Sequence, residues 1–600
     1  NNMTLEEQLN SKEKMYKDSY LFKRLYSYLK PELAIFIFGL FIDILAIAIY
    51  SFEPRIMGLG ITFITEGKIT ELVILCSVFL AAITLTLVMG YYGTMIMQKV
   101  GQNIIYKMRT EEFEHIENFS INQLNSLPVG KLVTRVTNDT AKINNLFSNV
   151  IPSFVRSFFS LIFTVVQVLI SSWEIGLILI IFIPISFGVV IGFRIISKKV
   201  FRETRKSISS LNGFLAENIS GMLTTQIFNQ QKRKLDEFDD KNNSLLKAYL
   251  HQVSFFAVFR PLFYLLYIVS VAIIVLYGSN LIINDPAGKY VAADLLTFYL
   301  YAGQFSNPMT SFAEQFNSFQ ESLTAMERIC IILDVKPEVL DKEDAKDVDK
   351  LIGKVEFKHV WFSYIPGEWI LKDVSFVINP GETAAFVGAT GAGKSTIISL
   401  ITRNYEAQKG EILIDDKPIG EYTLNSLRKH IGSMLQDVFL FAGTISENIS
   451  LFDNAIDKKD VISSCEYVGA NNFIEKLPNK YDEMIQERGN NFSMGQRQLI
   501  SFARVVLYHP NIMLMDEATA NIDTETEVLI QNSLKKMKNI GTMIIVAHRL
   551  STIKHADKIF VISQGKIIES GNHQELLKVH GMYYNLYRLQ NMEKKKDEEI

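Results

Sequence analysis

The stretch 383–396 reads TAAFVGATGAGKST. Its first five residues are small or apolar and bounded by glycine, which predicts a short buried strand. The next eight, Gly388 to Ser395, fit GxxxxGK[ST], and TIISLITR after them has helical apolar spacing. Strand, glycine-rich loop and helix in that order form a phosphate cradle. Gly388, Gly391 and Gly393 let backbone N–H groups curl around phosphate oxygens, with Thr390 and Thr396 as further contacts. Lys394 is placed to neutralise the β- and γ-phosphates, and Ser395 to bind Mg2+.

Working outward, IMLM (512–515) predicts a second strand ending in Asp516-Glu517. A strand-end aspartate can hold Mg2+, and the next carboxylate can polarise an attacking water. The plainer alternative is a helix-capping carboxylate pair before Ala518. A third strand, MIIVA (543–547), ends in His548. A lone histidine is ordinarily structural. At the end of a neighbouring parallel strand it faces the same crevice as the loop.

Upstream lies a charged linker, PEVLDKEDAKDVDK (337–350), and before it a different composition. Six apolar stretches run over 33–50, 72–91, 151–170, 175–193, 253–277 and 295–312. Each is near the ~20 residues that span a bilayer. The sixth is the weakest, carrying Gln304, Asn307 and Pro308. Lys and Arg crowd the connections before the first, after the second and after the fourth stretch, which predicts cytoplasmic termini. KDSYLFKRLYSYL (17–29) reads as an amphipathic helix at the interface. The two long basic connections predict helices extending into the cytoplasm, each broken by a short cross-helix, within SINQLNSLPVG (120–130) and ENISGMLT (217–224). The expected organisation is an interfacial segment 1–30, an all-α six-helix transmembrane domain 31–333, a linker 334–352, an α/β P-loop NTPase domain 353–590 and a charged tail 591–600.

Hydrophobic residues make up 48% of the 600-residue chain and the net charge is −3, so no basic field points to nucleic acid. Cys76, Cys330 and Cys465 are far apart, with no CxxC or Cys/His spacing, so neither a disulfide framework nor a zinc site is supported.

With these pieces placed, residues 355–589 resemble the nucleotide-binding domain of ATP-binding cassette (ABC) proteins. The resemblance rests on an ordered series: Tyr364 in VWFSY, the P-loop, Gln436 in MLQDVFLF, Glu487-Arg488-Gly489, FSMGQRQ (492–498), Asp516-Glu517, Asp523 in ATANID, and His548. It implies that Tyr364 stacks on adenine and that Gln436 senses Mg2+ and the γ-phosphate. It further implies Glu517 as catalytic base, Asp523 as the D-loop aspartate and His548 as the switch histidine. Ser493, Gly495 and Gln496 stand at the signature that completes a partner's ATP site. The first half is similar to the six-helix domain of the multidrug-exporter class, on PVGKLVTRVTNDTAKI (128–143) and ENISGMLTTQIFNQ (217–230). Two such halves would sandwich two ATP molecules and alternate between inward- and outward-facing states in a bacterial cell membrane.

The sequence departs from the family at Met494, where LSGGQ has glycine. Glycine permits close approach to the γ-phosphate and φ > 0, which Met rarely adopts. With Glu517 and His548 intact, this resembles the catalytic-glutamate subunit of a heterodimeric exporter whose partner carries the intact signature. The alternative is a tolerated variant in a homodimer. The expected cargo is a hydrophobic or amphiphilic small molecule, with a lipid or peptide as alternatives. Ionisable groups in or near the spans are the candidate substrate contacts. These are Asp43, flanked by apolar neighbours, Arg260 with nearby Phe259, and Glu314.

Overall fold

The computed structural model describes residues 16–284, 291–434, 438–516, 524–538, 540–546 and 553–597. The chain divides into two compact units, one of 1–117 with 127–335, the other of 118–126 with 336–600. The division puts the short segment 118–126, which includes part of the first expected cross-helix, with the second unit.

The first unit is helical throughout. The six apolar stretches fall on helices Leu33–Tyr50, Ile69–Glu117, Ile151–Ser171, Trp173–Ser220, Gln231–Ile283 and Ala292–Leu333. Among the described residues, four helical runs are long and apolar enough to cross a membrane. One element is additional to the sequence reading. After Tyr50 the chain re-enters helix at Glu53–Thr65 with Pro54 in its first turn, where proline costs no hydrogen bond. Gly58 on this helix admits the last long helix: a Cβ there would fall 2.0 Å from Thr297 Oγ1.

Residues Asp18–Leu29 form a helix that packs one face on the protein. Leu21, Leu25 and Tyr28 are buried in a core with Met97, Ile104, Met108, Met326 and Ile329. Its apolar stripe therefore covers protein, and Phe22 and Tyr26 remain exposed. Arg24 pins it to Asp334 at the end of the last helix, 2.9 Å away. The second short cross-helix is also shifted. Helix Trp173–Ser220 runs through Glu217 and Asn218, breaks at Gly221, and resumes as Met222–Ile227. Glycine costs more in a helix than the residues before it, so the break falls there.

The second unit is α/β. A six-stranded sheet has the order β12-β11-β3-β10-β9-β6, and a four-stranded antiparallel sheet the order β2-β1-β4-β5. In chain order the strands are β1 Val355–Phe362, β2 Leu371–Ile378, β3 Thr383–Val387, β4 Lys409–Ile414, β5 Lys417–Pro418, β6 Ile431–Met434, β7 Gly443–Thr444 and β8 Met484–Ile485, which pair with each other, β9 Ile512–Asp516, β10 Thr542–Val546, β11 Lys558–Ser563 and β12 Lys566–Gly571. Strands β3, β10, β9, β6 and β11 run parallel; β12 returns antiparallel. All five residues of β3 and of β10 are buried, as a sheet covered on both faces requires. One core holds Phe386, Leu514, Ile544 and Ile397; the other holds Met513, Met515, Leu499 and Phe502. Successive residues of β9 alternate between them, the period-2 rule at work.

Candidate nucleotide site

The chain leaves β3 through Gly388, where a Cβ would lie 2.2 Å from the Ile562 carbonyl oxygen. Only glycine lets strand β11 pack this close. Gly393 takes φ 104° and starts helix Lys394–Ile401. The free N–H groups at that start are what an anionic phosphate meets. Lys394 is buried and folds back over the loop, Nζ donating to the Gly388 and Ala389 carbonyls at 2.8 and 2.9 Å. A phosphate entering the loop can take over those donors. Ser395 is exposed beside it, while Thr396 is buried.

Asp516 ends β9, and β10 lies between β9 and β3 in register, Val546 pairing with both Asp516 and Phe386. The loop and Asp516 therefore leave the sheet at one edge, the carboxyl ends of parallel strands, where α/β proteins bind ligands. The β10 end puts His548 two residues beyond Val546. Gln436, Glu517, Asp523 and His548 themselves lie outside the described residues.

Tyr364, just after β1, is 42% exposed, and its hydroxyl lies 3.1 Å from Thr396 Oγ1 on the helix that follows the loop. Its ring meets Phe362 and Tyr405 edge-on, with centroids 4.9 and 5.1 Å apart. Sequence reading did not single out Tyr405. It sits in RNYEAQ beyond the helix, where no motif marks it, and only the fold brings it to Tyr364.

The signature segment begins helix Met494–Leu507. Ser493 caps it: its hydroxyl accepts from Gln496 N at 3.2 Å, and its own N–H donates to Gln496 Oε1 at 2.9 Å. Met494 is the first helical residue and does not have positive φ. This corrects the conformational half of the expectation. The backbone at 494 makes no demand that Met cannot meet, and any hindrance comes from its half-buried side chain.

In the first unit, Asp43 is only 3% exposed, and its Oδ2 accepts from Arg156 Nη1 at 3.0 Å. The expectation of a free carboxylate awaiting a cation is corrected, because a helix of the same chain supplies the counter-charge. Arg156 sits within the third apolar stretch and was overlooked there, although a charge in such a run is itself a signal. Glu314 is exposed on helix Ala292–Leu333. Phe259 and Arg260 lie on helix Gln231–Ile283, and their side chains are outside the described residues.

A glycine loop closing a parallel strand, a lysine folded across it and a strand-end aspartate at the same sheet edge define a P-loop nucleotide hydrolase. Fused to helices able to cross a bilayer, they define an ATP-driven membrane transporter. Two family models match: ABC transporter transmembrane region over residues 36–309 and ABC transporter over 371–520. The chain is 37% identical to an ABC transporter ATP-binding protein, exp8, of Streptococcus pneumoniae, over 95% of this chain and 97% of the relative. It is 35% identical to Bacillus subtilis YheH, named a probable multidrug resistance ABC transporter ATP-binding/permease protein, over 88% of this chain and 78% of the relative. It is 32% identical to an ATP-dependent lipid A-core flippase of Syntrophus aciditrophicus, over 87% of this chain and 86% of that protein. The chain belongs to the ABC transporter family, as a half-transporter of the multidrug type. It binds ATP and couples its hydrolysis to transport, in a class whose members function as dimers.

Proposed function

We propose that this chain exports hydrophobic or amphiphilic small molecules across a bacterial cell membrane, as one half of a heterodimer with cytoplasmic termini. The observation carrying the heterodimer reading is Met494 at the first turn of helix Met494–Leu507, beside an otherwise complete set of nucleotide residues. In this reading its side chain would stand where a partner's γ-phosphate approaches the capped helix start. In this reading Lys394 and the loop glycines hold ATP, Tyr364 stacks on adenine, and Glu517 activates water with His548 and Asp523 beside it. Ser493, Gly495 and Gln496 complete the partner's site.

Mg2+ fits the residues available: the exposed Ser395 hydroxyl at the helix start and Asp516 at the strand end are hard oxygen donors. Gln436 is the third residue assigned to hold it. When bound, the ion neutralises charge on the β- and γ-phosphates.

The multidrug name of YheH supports a drug-like cargo. The names of the flippases support a second reading, a lipid. ATPase activity of the lipid-reconstituted complex, measured against cationic dyes, neutral drugs, lipids and peptides, separates them. Stimulation by lipid alone would reject the drug reading.

A further inference from the structure

Tyr364 opens the stretch YIPGE (364–368), exposed throughout, in the turn from β1 to β2. At the root of this turn Phe362 of β1 pairs with Leu371 of β2, and the Ile370 N–H donates to the Phe362 carbonyl at 2.8 Å. On the other side of β1, the ladder with β4 ends at Trp361 opposite Lys409, the first residue of β4. Ser363 lies beyond that end and is buried, so its backbone groups need partners other than a strand.

Gln408, the residue before β4, supplies them. Its backbone is fixed by its own N–H, which donates to the Trp361 carbonyl at 3.1 Å. Its side chain then meets Ser363. Gln408 Oε1 accepts from the Ser363 N–H at 2.9 Å, and Nε2 donates to the Ser363 carbonyl at 2.8 Å. The primary amide thus extends the ladder by one residue, offering the donor and acceptor that a peptide group would. The second bond is the one that bears on Tyr364. The Ser363 carbonyl and the Tyr364 nitrogen belong to one planar peptide unit. Holding that carbonyl sets the plane from which the Tyr364 side chain leaves the backbone.

We propose that Gln408 is a positioning residue for the base of ATP: its side-chain amide holds the Ser363–Tyr364 peptide plane, and with it the ring on which adenine stacks. Its effect falls on the base and not on the phosphates, which the loop 388–395 holds. The inference rests on the reading of Tyr364 as the adenine-stacking ring.

The test is nucleotide binding by the full-length chain in lipid nanodiscs, with Mg2+ withheld so that ATP binds without turnover. Dissociation constants are measured for ATP and for inorganic tripolyphosphate, which fills the phosphate loop without a base. Gln408→Met keeps the side-chain length and loses both bonds. Gln408→Glu still accepts from the Ser363 N–H but has no hydrogen to donate to the carbonyl. Each change weakens ATP about three- to tenfold, the range for losing one or two hydrogen bonds, and leaves tripolyphosphate unchanged. Tyr364→Ala likewise weakens ATP alone, and adding Gln408→Met to it changes nothing further, because both act through one ring. Equal losses of ATP and tripolyphosphate in Gln408→Met overturn the proposal, since a general loosening of the domain would produce them. So do full ATP affinity in Gln408→Met or Gln408→Glu, or effects that multiply in the double variant, while Tyr364→Ala still shows the stacking role. An unchanged ATP affinity in Tyr364→Ala overturns the stacking reading and, with it, the proposal.

Discussion

Asp43 and Arg156 form an ion pair, Oδ2 to Nη1 3.0 Å, between helices Leu33–Tyr50 and Ile151–Ser171. Gly93 on helix Ile69–Glu117 presses against it, since a Cβ there would fall 2.3 Å from Asp43 Oδ1. Three helices thus meet at one buried carboxylate. Removing one member strands the other in an apolar setting. Arg156 is 38% exposed at its side chain, so the loss is smaller than for a fully enclosed pair. Asp43→Asn is expected to cost about 1–3 kcal/mol, and Asp43→Asn with Arg156→Gln to recover most of it. Gly93→Ala should behave like Asp43→Asn without altering charge. Thermal unfolding of the lipid-reconstituted variants checks this. A double variant as unstable as the sum of the singles would refute the pairing.

The phosphate loop supports a prediction that separates binding from chemistry. Lys394→Ala removes the charge folded across the loop and should abolish measurable ATP binding. Glu517→Gln keeps shape and loses the base, so hydrolysis should fall at least about a hundredfold while ATP is retained. Binding and turnover measured on the same preparations decide it. Near-normal turnover in Glu517→Gln would reassign the base.

What was legible in the sequence was local. The loop at 388–395 declares itself because strand, glycines, lysine and helix are contiguous. Ser120 and Gln123 likewise spell a capped helix start within four residues. Pairings across long separations left no such trace. Asp43 and Arg156 are 113 residues apart, and Tyr405 meets Tyr364 only because β4 returns beside β1. The helix Glu53–Thr65 was missed because Glu53, Pro54 and Arg55 look like the end of a span, whereas Pro54 suits a helix's first turn. At Met494 the reverse holds. The substitution was visible, but its backbone consequence depended on whether residue 494 lies inside the helix, and it does.

Glu112 gives the molecule a pH-dependent stability. It lies on helix Ile69–Glu117, about twenty residues past the apolar stretch, fully buried, and neither carboxylate oxygen has a hydrogen-bond partner. Burial, then the Asp139 carboxylate, pushes its pKa up to about 8; Arg135 and Arg109 act the other way. Arg135, Lys142 and Arg328 all pair with Asp139 instead. The native state therefore keeps a proton that the unfolded chain releases near its ordinary value of 4.5. Stability is full below that value, declines as pH rises towards 8, and stays low above it. Glu112→Gln should flatten the decline, its advantage over the parent growing from pH 5 and levelling off past pH 8. Parallel thermal-midpoint curves from pH 5 to 9 would show that Glu112 does not titrate in this range.

The last prediction concerns Met494 and the partner. A homodimer would place two complete phosphate loops opposite two Met494-bearing helix starts. Both sites would bind ATP, and both would be hindered in closing on the γ-phosphate. The chain purified alone should therefore show low ATPase and no transport. A partner with glycine at the corresponding position would restore one competent site built from Lys394, Gln436, Glu517 and His548. Because Met494 is helical and without positive φ, the hindrance comes from the side chain alone. Met494→Ala should then relieve it as fully as Met494→Gly, which a demand for left-handed backbone would forbid. In the homodimer both variants should raise ATPase, since each site keeps its own Glu517. The decisive comparison is ATPase of the lipid-reconstituted chain, its two variants and the co-expressed pair. If the unmodified chain already hydrolyses ATP and moves substrate as fast as the pair, Met494 is a tolerated substitution in a working homodimer.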